Sequence, residues 1–236
     1  MASFKAYLDL CRVSNLPTVW SNVLAAGLLA GGDFAPASFL LLALALSCFY
    51  LAGMSFNDVC DLEHDRIKQP SRPIPSGRVS LRGASILALA LFALGMALLA
   101  AAPHWRSGTA AGVLLMLAIV AYDLRHKGHP YSVLLMASCR FLVFVVVALA
   151  QTGHLGLGLL VAAAVQFAYV VAISLVARHE NSRSARFPFP VVPAMLAGIA
   201  LVDGILLAFL VAIPWLLAGL AGALLTWAGQ RYVRGD

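Results

Sequence analysis

Charge is what this chain has least of. Asp, Glu, Lys and Arg make up 11% of its 236 residues, and only 10 residues are acidic, where a soluble domain averages about 25% charged. With 62% hydrophobic residues and a mean hydropathy of +0.92, a soluble globule is excluded and most of the surface must face lipid. Polar connections are scarce too. The longest runs from about Asn57 to Arg82, so no segment is long enough for a separate soluble domain. Cysteine is sparse and unpatterned: Cys11, Cys48, Cys60 and Cys139 lack a CxxC spacing, which argues for structural thiols within helices. Residues 1–12 carry charges but no cleavable signal pattern, so the first span is expected to be retained. The net charge of +6 is scattered between apolar segments, which speaks for membrane topology and against nucleic acid.

What is present in quantity is apolar sequence in runs that match the roughly 30 Å of a bilayer's hydrocarbon core. Spans are expected near 14–31, 35–56, 82–102, 108–123, 131–150, 155–177, 188–210 and 212–230, giving an all-α polytopic bundle of about eight transmembrane helices. Asp203-Gly204 is expected to interrupt the seventh span, and Pro214 either kinks or starts the eighth. Lys and Arg gather in alternate connections, and the opposite connections hold only Arg106. The positive-inside rule then puts both termini in the cytoplasm, with a bacterial inner membrane the expected location.

Against this background one stretch stands out, Asn57-Asp58-Val59-Cys60-Asp61-Leu62-Glu63-His64-Asp65-Arg66. Asp58, Asp61 and Asp65 are spaced three and four residues apart, within roughly 60° of one another on a helix. Carboxylates sharing a face at a bilayer edge repel unless a cation neutralises them. An oxygen-only donor set of this kind, with Asn57 adding an amide oxygen, suits Mg²⁺ completed by substrate phosphates. The following loop holds Pro70, Pro73, Pro75 and Gly77, so it is neither helix nor strand throughout, and loops of this kind line or cap sites.

The pattern Asn57-Asp58-x-x-Asp61-x-x-x-Asp65 followed by Arg72-Pro73-Ile74-Pro75-Ser76-Gly77-Arg78 resembles the UbiA superfamily of intramembrane prenyltransferases. The resemblance implies one UbiA-like transmembrane prenyltransferase domain over residues 1–236, with a central cavity open to the cytoplasmic side. It implies Mg²⁺, a prenyl diphosphate donor and a lipophilic, aromatic acceptor, with the bilayer as surroundings. Asn57, Asp58, Asp61 and Asp65 would hold the metal, and Asp58, Asp61 and Arg72 would be catalytic. Lys68, Arg72 and Arg78 would meet phosphate oxygens, Arg offering a planar bidentate fork. Tyr122-Asp123-Leu124-Arg125-His126-Lys127 resembles the tyrosine and basic residue that the family sets near the diphosphate, which adds Arg125 and Lys127 as donor contacts.

Arg140 lies within the fifth span, where a buried guanidinium is costly and points to a polar cavity, a phosphate or an acidic partner. The chain departs from the family where a second aspartate-rich motif would follow the sixth span. There it reads Ala177-Arg178-His179-Glu180-Asn181-Ser182-Arg183-Ser184-Ala185-Arg186, one carboxylate among three arginines. Glu180 and Asn181 are then expected as metal ligands, while Arg178 and Arg183 would bind phosphate directly. This segment, with Cys139-Arg140, resembles the EboC-like branch of the superfamily. No general base is identifiable, since His64, His126 and His179 read as surface or hydrogen-bonding residues. Three activities stay open: prenyl transfer, terpene cyclisation on the same fold, and non-catalytic isoprenoid binding or transport.

Overall fold

The computed structural model describes residues 4–31, 35–125, 131–182, 189–233 and 235, with side chains except at 181 and 182. Among these residues every regular element is helical. In chain order they are α1 (Phe4–Leu10), α2 (Leu16–Ala30), α3 (Pro36–Cys60), α4 (Leu62–Lys68), α5 (Leu81–Leu99), α6 (Trp105–Arg125), α7 (Ser132–Gln151), α8 (Leu157–Ser182), α9 (Val191–Leu210) and α10 (Leu216–Gly229).

Each expected span falls on one of the eight longer helices, and α1 and α4 are short additions. Among the described residues six helices, α3 and α5 to α9, are long and apolar enough to cross a membrane, as a multi-pass integral membrane protein requires. The other two are shorter for different reasons. Pro214 sits in a 3-10 turn, Ile213–Trp215, that starts α10 rather than kinking it. The 15-residue α2 carries Thr18, Ser21 and Asn22 on buried positions and packs against α3, α7, α8, α9 and α10. It is an interior helix, so its polar residues meet protein rather than lipid.

The main apolar core joins α2, α3, α5, α6, α7 and α8 through residues such as Phe49, Leu115, Phe144 and Leu159. A second, smaller core lies at the end of the bundle that carries the acidic stretch. There Ala6 and Leu10 of α1 meet Ile74 and Val79 of the proline-rich loop and Ala84 of α5. Burial of Ile74 and Val79 pins that loop, and Gly77 at φ 75° makes its tight turn. Ser80 then caps α5, its hydroxyl accepting from the Gly83 N–H at 3.0 Å.

One expectation is corrected here. Asp203-Gly204 does not interrupt the seventh span, because α9 is continuous from Val191 to Leu210. Gly204 is instead where α9 and α10 touch: a Cβ placed there would lie 2.7 Å from the Gly219 Cα. Small residues at such a crossing let backbones pack closely where lipid supplies no hydrophobic drive. The Asp203 carboxylate is satisfied by neighbouring helices, as described below.

Candidate active site

The acidic stretch straddles the junction of α3 and α4. The Asp61 N–H donates to the Asn57 carbonyl and the Asp65 N–H to the Asp61 carbonyl, each at 2.9 Å, so helical bonding runs through the junction. Asn57, Asp58, Asp61 and Asp65 therefore keep one face, and all four are buried, while Glu63 and His64 between them are exposed.

Two arginines neutralise that face. Arg12 Nη2 donates to Asp58 Oδ1 at 3.1 Å. Arg72 Nη1 donates to Asp65 Oδ2 at 2.6 Å and stands 3.5 Å from Asp58 Oδ1. Buried carboxylates need such partners. The pinned loop is what delivers Arg72 to them. Arg12 reaches Asp58 from a left-handed backbone, φ 46° and ψ 48°, the one non-glycine residue at positive φ among those described. Strain of this kind persists only where surrounding contacts fix it; here the Tyr50 hydroxyl donates to the Arg12 carbonyl at 3.3 Å. Next in the chain, burial pushes the Cys11 thiol up to about 11, with the nearby Asp58 charge adding to the shift.

Beside these pairs is a cavity of about 400 Å³, lined in part by Arg12, Tyr50, Tyr122, Ser132, Arg140 and Arg178. Three guanidinium groups thus come from the turn after α1, from α7 and from α8. Arg178 Nη2 donates to Ser132 Oγ at 2.7 Å. Arg140 Nη1 donates to Asn22 Oδ1 at 2.7 Å, so this arginine turns to the bundle interior. On the α6 side, Asn57 Nδ2 donates to Asp123 Oδ1 at 3.1 Å, which brings a further buried carboxylate to the α3 face.

Of the residues expected from sequence, Asn57, Asp58, Asp61, Asp65 and Arg72 gather on one face, and Arg140 and Arg178 line the adjoining cavity. Lys68 and Arg125 are exposed at the ends of α4 and α6 and do not line it. Arg78 is also exposed and ties the loop down, donating to Asp9 Oδ2 at 2.8 Å and the Ser71 carbonyl at 2.9 Å. Glu180 is half-buried in the last turn of α8 and does not line the cavity. Lys127, His126, Arg183, Arg186 and the Asn181 side chain lie outside what is described.

The donor chemistry of Asn57, Asp58, Asp61 and Asp65, all oxygen, fits Mg²⁺. Among the described residues no three acidic, histidine or cysteine side chains close into a metal-holding group. The cation between Asp58 and Asp65 is instead the Arg72 guanidinium.

Sequence reasoning missed Arg12, which reads as a topology charge, and the polar cluster behind Arg140. The available signal for the cluster was the presence of Asn22, Gln166 and Asp203 within apolar spans.

The chain belongs to the UbiA prenyltransferase family, whose model matches residues 15–233. Over 96 residues it is 41% identical to the digeranylgeranylglyceryl phosphate synthase of Methanoculleus marisnigri, covering 41% of this chain and 34% of that protein. Over 130 residues it is 34% identical to the synthase of that name from Natronomonas pharaonis, covering 55% of this chain and 46% of that one. The matched stretches thus span a third to under half of these curated relatives. A solved structure concerned with digeranylgeranylglyceryl phosphate synthase superposes with a TM-score of 0.63 at 21% identity, covering 98% of this chain and 88% of the other. A UbiA homologue from Archaeoglobus fulgidus, bound to DMAPP and Mg²⁺, gives 0.61 at 17%, covering 94% and 86%. At these identities the likeness carries the fold.

Proposed function

We propose that this chain is a Mg²⁺-dependent intramembrane prenyltransferase, acting as one unit, that moves an isoprenoid group from a prenyl diphosphate to a lipophilic acceptor. The observation that carries this is the cavity itself: arginines 12, 140 and 178 line a pocket next to the buried acidic face of α3 and α4. A diphosphate fits such a mixed site, its anionic oxygens against guanidinium groups. Mg²⁺ held by Asp58, Asp61, Asp65 and Asn57 would neutralise charge on the leaving diphosphate. The relatives' names and the DMAPP and Mg²⁺ bound by the Archaeoglobus homologue support the reading.

The roles divide by position. Arg72, held beside Asp58 and Asp65, would meet the donor phosphates at the acidic face, while Arg140 and Arg178 would hold the diphosphate within the cavity. Preorganised positive charge at the leaving group lowers the barrier to ionisation. The apolar part of the cavity lining, Met54, Met136, Ile173 and Leu196, would keep water from the allylic cation. The acidic end of the bundle, with both termini, faces the cytoplasm, in keeping with the clustering of Lys and Arg there. The acceptor is an aromatic ring or a lipid alcohol; the latter is favoured by relatives named for a glyceryl phosphate product.

A second reading, isoprenoid binding without catalysis, draws on the arginine pairing of Asp58 and Asp65. Purified protein with Mg²⁺ and radiolabelled prenyl diphosphates of several lengths separates the readings. Labelled product that requires an added acceptor supports transfer. Labelled hydrocarbon without acceptor indicates a cyclase, and tight binding without turnover indicates the non-catalytic role.

A further inference from the structure

Behind Arg140 lies a buried polar cluster, drawn from α2, α8 and α9, that the reaction as proposed does not use. Asp203 of α9 is 1% exposed, and its Oδ2 accepts from Ser21 Oγ and from Asn22 Nδ2, both at 2.6 Å. Its Oδ1 accepts from Gln166 Nε2 of α8 at 2.7 Å, and the same nitrogen donates to the Ile199 carbonyl at 2.9 Å. Asn22 faces the other way as well: its Oδ1 accepts from Arg140 Nη1 at 2.7 Å. Arg140 also donates to the Thr18 carbonyl and hydroxyl, each at 3.4 Å. Among the described residues Arg140 forms no ion pair, so its negative partner is one side chain away.

That separation has a chemical consequence. A carboxylate in direct contact would neutralise the guanidinium and compete with any anion for it. With no carboxylate nearby, burial inside a span would be prohibitive. An amide between the two balances the charge across the cluster while leaving Arg140 unneutralised at the wall of the cavity. Asn22 is suited to this because one end accepts and the other donates, and both ends are fixed by charged neighbours.

We propose that Asn22 and Asp203 are positioning residues: they hold Arg140 charged and aimed into the cavity as a seat for a diphosphate. This rests on the diphosphate reading given above and extends it to two residues remote from the acidic face.

The test uses the full chain in detergent micelles, with inorganic diphosphate and Mg²⁺ titrated by calorimetry and folding followed by thermal melting. The decisive variant exchanges the two groups, Asn22→Asp with Asp203→Asn, keeping the net charge but bringing the carboxylate against Arg140. It is expected to fold and to bind diphosphate at least ten times more weakly than wild type, as is Arg140→Gln. Wild-type affinity in the folded exchange variant overturns the proposal, since a purely structural cluster would leave binding unmoved. Should the exchange fail to fold, Asn22→Ala removes the bridge alone. A tenfold loss there, not deepened by adding Arg140→Gln, supports the proposal, and an unchanged affinity or an additive loss overturns it. Wild type that binds no diphosphate overturns both this and the reading beneath it, whereas tight wild-type binding with indifferent variants overturns this one alone.

Discussion

Arg72 Nη1 lies 2.6 Å from Asp65 Oδ2, and this contact closes the proline-rich loop over the acidic face of α3 and α4. The same guanidinium is 3.5 Å from Asp58, so a single loop residue serves two buried carboxylates.

Removing it should therefore expose a conflict of like charges. Arg72→Ala is expected to destabilise the protein by about 3–5 kcal/mol, because buried Asp65 loses its guanidinium partner and Asp58 is left with Arg12 alone. Millimolar Mg²⁺ should raise the melting temperature of this variant more than that of wild type, since a ligand that binds only the folded state stabilises it by mass action. Equal Mg²⁺ effects on the two proteins would count against the acidic face as a cation site.

The close crossing of α9 and α10 makes a different prediction. Gly219→Val puts side-chain atoms where a Cβ alone would meet the Gly204 Cα at 2.6 Å. Overpacking of backbone against backbone should cost about 1–3 kcal/mol or more, read as a lower melting temperature. Gly158→Ala, where a Cβ meets nothing within 4 Å, is the control and should be neutral.

Cys11 supplies the pH dependence. Its thiol is raised to about 11 in the folded chain from an ordinary 9.0, first by burial and then by Asp58. Above pH 9 the unfolded chain releases this proton while the folded chain keeps it, so rising pH favours unfolding. The stabilising contribution is complete below about pH 9 and is lost as pH passes through about 11. Cys11→Ser should flatten that part of the stability profile, and Cys11 should resist alkylation at pH 8 until the protein is denatured.

Ser80 offers a local check on the loop. Ser80→Ala removes the cap on the Gly83 N–H and should lower stability by about 0.5–2 kcal/mol, seen in melting and in faster proteolysis between Pro70 and Val79.

The helices were legible in the sequence because each is a long apolar run, and lipid leaves a spanning chain few alternatives to helix. The acidic face was legible because its three-and-four spacing survives the α3–α4 junction. What escaped were contacts made across elements. Arg12 lies 46 residues from Asp58, and nothing local separates it from a membrane anchor. Asp203 suggests an interruption when α9 is read alone; with Ser21, Asn22 and Gln166 around it, the helix continues. Arg72 stands apart from Lys68 and Arg78 in the sequence by its place in the motif, but its inward turn depends on the burial of Ile74 and Val79, which seats the loop while Lys68 and Arg78 stay exposed. Nor does the spacing of Asn57, Asp58, Asp61 and Asp65 reveal that Arg12 and Arg72 pair with two of these carboxylates.

Diphosphate release from a radiolabelled prenyl diphosphate, measured with and without Mg²⁺ in wild type and Asp58→Asn, tests the central claim most directly. The account predicts acceptor-dependent, Mg²⁺-dependent release by wild type and at least a hundredfold loss in the variant while its fold is retained. Release that continues undiminished in Asp58→Asn, or that ignores Mg²⁺, would contradict it.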